Sequence, residues 1–168
     1  MLPKQLVSDY SLELLESHTI SDADIADIRG LRLLLSPQSR PVTRADVVRV
    51  LSRAQSAIAV IRLIAEERGE PPAGKIVCMF TVTTDDVLMG RRCHIEDVVA
   101  DPDHRRNLAP HVISFLYRIV RDEWKADFCE WRTDNPRVVQ MWKRVARSFD
   151  STLRDLEGSS HRVYFNPP

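Results

Sequence analysis

Two neighbouring carboxylates, Glu96 and Asp97, stand inside an otherwise apolar run, His94-Ile95-Glu96-Asp97-Val98-Val99-Ala100. A carboxylate placed on a strand can accept a proton from an attacking amine, directly or through water. Side chains alternate along a strand, so only one of the pair can face a given cleft. Glu96 has the longer reach and is the expected proton acceptor, with Asp97 as its orienting neighbour. The bland alternative is that one is solvated and the other anchors a loop. Next in the chain is a basic turn, Asp101-Pro102-Asp103-His104-Arg105-Arg106-Asn107-Leu108, with two adjacent guanidinium groups. Arg105 and Arg106 suit phosphate oxygens, which accept paired, charge-assisted hydrogen bonds; as solvated turn residues they would do nothing. A helix is expected from about Ala109 to Trp124, and a helix N-terminus adds unpaired N–H groups and partial positive charge.

These residues need a scaffold, and the rest of the stretch supplies one. A second strand is expected over Asp127 to Thr133, then a second helix opened by Asn135-Pro136, an N-cap followed by proline at the first helical position. Strand, helix, strand and helix in that order imply parallel strands. The first helix carries Val112, Ile113, Leu116, Tyr117, Ile119, Val120 and Trp124, leaving a narrow polar stripe, so it should be covered on most sides. Val138, Val139, Trp142, Val145, Ala146 and Phe149 form one face of the second.

Upstream, Ser21-Asp22-Ala23-Asp24 and Thr43-Arg44-Ala45-Asp46 read as capping boxes, with Asp in place of the usual Glu. They open helices over Ser21 to Leu35 and from Thr43 onward. Ala57 to Glu66 and Lys75 to Thr84 are β-branched, apolar runs that should form an antiparallel hairpin around Gly69 to Gly74. Asp85 to Arg92 reads as a turn. Ser151 to Leu156 and His161 to Phe165 read as two short final strands.

Composition narrows the function classes. The 168 residues fit one domain, 1–168, and Lys+Arg and Asp+Glu are both 24, so the net charge is zero. Nothing in that balance draws the chain to nucleic acid or to acidic membranes. No run is long enough to span a bilayer, and Met1 to Gln5 lacks a signal-peptide core, so a cytoplasmic location is expected. Cys78, Cys93 and Cys129 are odd in number and lack metal-ligand spacing, which implies reduced thiols and no metal.

The order of elements and two stretches resemble the GNAT superfamily of acyl-CoA-dependent N-acetyltransferases. Ile95-Glu96-Asp97-Val98-Val99-Ala100-Asp101-Pro102-Asp103-His104-Arg105-Arg106 is similar to that family's fourth strand and its exit. Asn135 through Trp142 to Phe149 is similar to its second signature, N-x6-Y-x3-G-F. The resemblance covers Ser21 to the C-terminus. It implies an α/β (α+β) fold with a central mixed, mostly antiparallel sheet flanked by helices, whose parallel fourth and fifth strands splay apart. It further implies acetyl-CoA as co-substrate, its pantetheine arm between those strands against Val98, Val99 and Ala100. Its pyrophosphate would lie on Arg105, Arg106, Asn107, Leu108 and Ala109, with Asn135 and Trp142 lining the arm.

The sequence departs from the family twice. The usual R/Q-x-x-G-x-G/A loop is here Arg105-Arg106-Asn107-Leu108-Ala109-Pro110. With one residue deleted, Asn107 takes the first glycine's place in a left-handed conformation, Ala109 takes the G/A position, and Pro110 falls where a helix leaves its N–H unpaired. Trp142 stands where the family has a tyrosine near the departing sulfur, and an indole N–H is not a general acid at neutral pH. Ala146 replaces the signature's glycine. Two function classes follow. One is an N-acetyltransferase acting on a primary amine, with the His94 to Val99 text similar to that of acetylators of small amines. The other keeps the fold, loses catalysis, and serves as a CoA- or protein-binding regulatory module. Homodimerisation is open on this reading.

Overall fold

The computed structural model describes residues 5–7, 10–64, 74–133, 136–148, 152–155 and 160–164. The chain falls into two compact units, the first made of Met1–Val82 and Asp97–Arg106, the second of Thr83–Glu96 and Asn107–Pro168.

In the first unit, β1 (Gln5–Val7) and β2 (Tyr10–Leu14) form an antiparallel pair, and β2 pairs antiparallel with β3 (Ser56–Leu63). The order continues to β4 (Ile76–Val87), which runs on into the second unit. Two helices accompany these strands, α1 (Asp22–Leu35) and α2 (Arg44–Leu51), each opened by the expected capping box. The Ser21 hydroxyl accepts from Asp24 N–H while the Asp24 carboxylate accepts from Ser21 N–H; Thr43 and Asp46 do the same. Ile25, Ile28 and Leu31 of α1 and Val47 of α2 pack with Ile58, Val60, Ile76, Met79 and Val99 in one apolar cluster. Removing each such side chain from water stabilises the fold by about 1.5–3 kcal/mol.

Polar bonds fix the register of that cluster. Arg62 on β3 bonds both Glu13 on β2 and Asp24 on α1, and donates to the Gly74 carbonyl at 3.0 Å. Burial works to raise the Asp24 carboxyl, but its bonds to Arg62 and Ser21 outweigh burial and hold it below the ordinary carboxylate range. The Asp27 carboxylate accepts from Ile76 N–H at 2.9 Å.

The second unit contains the rest of β4, most of β5 (Gly90–Ala100), β6 (Phe128–Arg132), β7 (Thr152–Asp155) and β8 (Ser160–Tyr164), in the order β4-β5-β6-β8-β7. β5 and β6 are parallel, in register from Arg92 opposite Phe128 to Ile95 opposite Trp131. β6 and β7 are each antiparallel to β8. The helices are α3 (Arg105–Arg118), extended by one π turn over Ile119–Glu123, and α4 (Pro136–Ser148). The π turn closes with Trp124 N–H on the Ile119 carbonyl at 3.0 Å, and Lys125, at φ 51°, turns the chain toward β6. Val112, Ile113, Leu116, Tyr117, Ile119 and Val120 are buried as expected, and Phe115 joins them. The expected Phe149 contact and Asn135 cap, and most of the Gly69 to Gly74 turn, lie outside the described residues.

Three expectations need correction. The strands β1 and β2 precede Ser21, where no strand was expected; the alternation in Tyr10–Leu14 is short and holds Ser11 and Glu13, which hides it. Asp85 to Arg92 is not a turn. β4 runs to Val87, β5 starts at Gly90, and only Leu88 and Met89 turn. The polar residues that suggested a loop are cross-strand partners, Arg92 bonding Asp85 at 2.6 Å and Arg91 bonding Asp86 at 3.0 Å. Gly90 permits the tight return: its φ is 120°, and a Cβ there would meet Asp127 Oδ2 at 2.3 Å. Finally, α3 begins at Arg105, not near Ala109.

Candidate functional site

The early start of α3 follows from Asp101. Its carboxylate accepts from Asp103 N–H at 3.1 Å, and its carbonyl accepts from His104 N–H at 3.1 Å and Arg105 N–H at 3.0 Å. Asp101 therefore closes the turn over residues 102–104 that leads straight into the helix. Lys75 donates to the same carboxylate at 3.2 Å. Burial alone would raise the Asp101 carboxyl; the bonds from Asp103 and Lys75 overcome it and hold the group below its ordinary range. His104 is buried, with Nδ1 3.1 Å from the Tyr10 hydroxyl.

This geometry changes what the basic stretch can offer an anion. Arg106, Asn107, Leu108, Ala109 and Pro110 lie in the first turns of the helix, whose first four amides have no carbonyl four residues back within it. Asn107 is helical, not left-handed, because Asp101 has already turned the chain. Pro110 is an interior residue, so its missing N–H withdraws a helical bond from the Arg106 carbonyl. Leu108 is buried. The carboxylate of Asp101 stands in the turn just before the helix, on the Asp103 amide. A phosphate here would meet the exposed Arg105 side chain and the leading amides of α3, with the carboxylate of Asp101 close by in sequence.

The strand before this stretch has its own irregularity. Asp97 adopts φ 53°, a left-handed conformation that non-glycine residues seldom take. Regular alternation along β5 thus ends at Glu96. Ile95 is buried and Glu96 exposed, while Asp97 is half-buried with Oδ2 3.5 Å from the Thr81 hydroxyl. Val98 is exposed, Val99 buried and Ala100 half-buried. The ladder joining β5 to β6 covers only Arg92–Ile95 and stops one residue short of Glu96. On the other side of β5, Asp101 N–H donates to the Val77 carbonyl at 2.8 Å.

Two groupings in the second unit were missed by sequence reading. On one face of β4, β5 and β6, His94 lies 3.7 Å from Asp85 and 3.8 Å from Glu130, and Arg92 bonds Asp85 and approaches Glu130 to 3.9 Å. The Arg92 guanidinium holds the Asp85 carboxyl below its usual range. Alternation of Arg92, His94 and Glu96 was the available signal, but the register against Glu130 was not. The other grouping is aromatic. Trp142 on α4 is buried and stacks on Trp131 of β6, centroids 4.2 Å apart and planes 21° apart. Tyr117 lies 6.3 Å from Trp142, and His161 of β8 stacks on Trp131 at 5.7 Å. Beneath them Cys93 and Cys129 are register partners, both buried and free.

The arrangement of elements defines a fold class, that of the GNAT acetyltransferases. Among solved structures, a mutant of spermidine N-acetyltransferase SpeG from Vibrio cholerae is similar over 95% of this chain and 94% of its own, with TM-score 0.63 and 12% identity. Campylobacter jejuni N-acetyltransferase PseH is similar over 94% of this chain and 99% of its own, with TM-score 0.59 and 9% identity. An aminoglycoside acetyltransferase from an uncultured soil metagenomic sample, solved with sisomicin, is similar over 89% and 92%, with TM-score 0.65 and 14% identity. No protein-family model matches the chain, and no curated protein matches it in sequence. Among the described residues no helix is long and apolar enough to cross a membrane.

Proposed function

We propose that this chain is an N-acetyltransferase that moves an acetyl group from acetyl-CoA to the primary amine of a small molecule. The observation that carries the reading is Glu96: an exposed carboxylate one residue beyond the end of the parallel ladder, followed at once by the left-handed Asp97. The fold it shares with spermidine and aminoglycoside acetyltransferases supports the same chemistry. Glu96 takes the proton of the attacking amine, directly or through water, and Asp97 fixes the backbone bend after it. The amine forms the new C–N bond, the C–S bond breaks, and the electron pair leaves on sulfur. Val98, Val99 and Ala100 border the pantetheine arm, and Arg105 and Arg106 meet the phosphates through their side chains. Asn107, Leu108 and Ala109 follow in the helix, and Asn135 and Trp142 complete the set of candidate contacts. General-base assistance is worth about 10²–10⁴-fold. Glu96→Gln should lower turnover by that order while calorimetry finds acetyl-CoA binding intact; full activity in Glu96→Gln with loss in Asp97→Asn would exchange their roles.

A second reading has a specific observation behind it. Asp101 sets a carboxylate in the turn just before α3 and takes the Arg105 amide, and Trp142 cannot supply an acid. Both favour a chain that keeps the fold and acts as a CoA- or protein-binding module. Binding of acetyl-CoA without transfer to any amine in a broad screen would establish that reading instead.

A further inference from the structure

The indole of Trp131 is 7% exposed, and among the described residues nothing accepts the hydrogen of its buried Nε1. Buried donors are paired in the great majority of cases, and an exception asks for an explanation, of which an atom of a bound ligand is one. The rest of the ring is well accommodated. Its faces stack on Trp142 and His161, so the side chain is held in place by contacts that do not involve the N–H. Its position is equally specific. Trp131 is the last β6 residue of the ladder, opposite Ile95, and the next residue of β5 is Glu96. Partners in a parallel ladder share a face, and successive residues alternate. Trp131 and Ile95 thus lie on one face of the strands, and Glu96, exposed where Ile95 is buried, lies on the other.

We propose that Trp131 Nε1–H donates a hydrogen bond to the thioester sulfur of the bound acyl donor as that sulfur leaves. This deepens the acetyltransferase reading and rests on it. The two faces of β5 then divide the reaction. Glu96 accepts the amine proton on one face, and on the other the indole N–H meets the charge that collects on sulfur when C–S breaks. Trp131 keeps its own proton throughout, since an indole is a donor only. Stabilisation comes from a fixed dipole aimed at developing charge, and the thiolate takes its proton later from water.

The test uses the wild-type protein labelled with ¹⁵N, whose three tryptophans give three indole N–H signals. Trp131→Phe identifies the signal of Trp131; should that variant not fold, Trp124→Phe and Trp142→Phe identify it by elimination. Titration with acetyl-CoA, and separately with CoA, should move the Trp131 signal downfield in both cases, because both ligands carry the sulfur. Trp131→Phe should retain acetyl-CoA affinity, lose about tenfold in kcat with KM little changed, and raise the pKa of the bound CoA thiol, read as thiolate absorbance against protein alone. A shift with acetyl-CoA but not CoA would place the bond on the carbonyl oxygen and overturn the assignment. Binding with no movement of the Trp131 signal and full turnover in Trp131→Phe would also overturn it, leaving the acetyltransferase reading intact. Absence of any acetyl-CoA binding would remove both.

Discussion

Arg62 and Trp131 each sit on a strand and each hold a helix to it, but by opposite chemistry. Arg62 ties β3 to α1 through charge, with Asp24 and Glu13 as partners and a carbonyl as third acceptor. Trp131 ties β6 to α4 through a ring stack with Trp142. An ion pair taken from water has paid desolvation and depends on every partner being present. A stacked aromatic pair gains from buried area and from ring geometry, and loses nothing when the pH moves. The first unit should therefore answer to acid, and the second to volume.

The largest effect is expected from breaking the charged tie. Arg62→Met strands two carboxylates, and should cost about 3–5 kcal/mol at neutral pH by urea unfolding. The sign of its pH dependence follows from Asp24, whose folded pKa is depressed. In the wild type the stability this provides is present above the unfolded carboxylate value and is lost as pH falls through the folded value. In Arg62→Met the carboxyl keeps its burial and its Ser21 bonds but loses the guanidinium, so the gap between the two proteins should narrow as pH falls below about 4. A gap independent of pH would show that packing of the Arg62 stem, not charge, makes the tie.

Trp142→Ala should cost a comparable 3–5 kcal/mol or somewhat less, about what removing a buried tryptophan costs, and the loss should be the same from pH 5 to pH 8. Trp142→Tyr should keep the fold. Gly90→Ala is expected to lose about 1–3 kcal/mol through backbone strain and displacement of Asp127, seen as a lower melting temperature with acetyl-CoA affinity unchanged. The smallest change in stability belongs to Arg105→Ala with Arg106→Ala, which should leave the melting temperature nearly where it was. Its effect should appear in calorimetry, as about tenfold weaker binding of CoA if the two guanidinium groups meet phosphate. Equal affinity would remove the stretch from the site.

The same contrast explains what could be read in the sequence. Both capping boxes were visible, because Ser21 with Asp24 and Thr43 with Asp46 act over a few residues of chain. So were the apolar runs of β3 and β4 and the buried face of α3, since period and composition carry them. The ties themselves were not legible. Nothing local in Arg62 announces Asp24, and nothing in Trp131 announces Trp142; both depend on register between distant segments. At the candidate site, the order of strand, basic stretch and helix was read correctly, but the helix start was misplaced. The tight turn that Asp101 closes rests on hydrogen bonds that residue types alone do not announce. Glu96 was visible as a charge in an apolar run. The left-handed Asp97 was not, because it is a backbone property that no residue type here requires.

The three cysteines give the molecule built-in clocks. Cys78, Cys93 and Cys129 are free and buried, and burial pushes the Cys78 thiol up to about 12 and the Cys129 thiol well above its ordinary value, Cys93 adding to the latter. Alkylating reagents need a thiolate and a path to it; burial denies all three thiols the path, and Cys78 and Cys129 the thiolate as well. Labelling at neutral pH will then proceed at the frequency with which each region opens, not at the speed of the reagent. Cys78 keeps time for the first unit, and Cys93 with Cys129 for the second. Mass spectrometry of partly labelled protein would read the two rates from one sample. Two different rates would mean that the units open separately; one shared rate would mean that the chain yields as a whole.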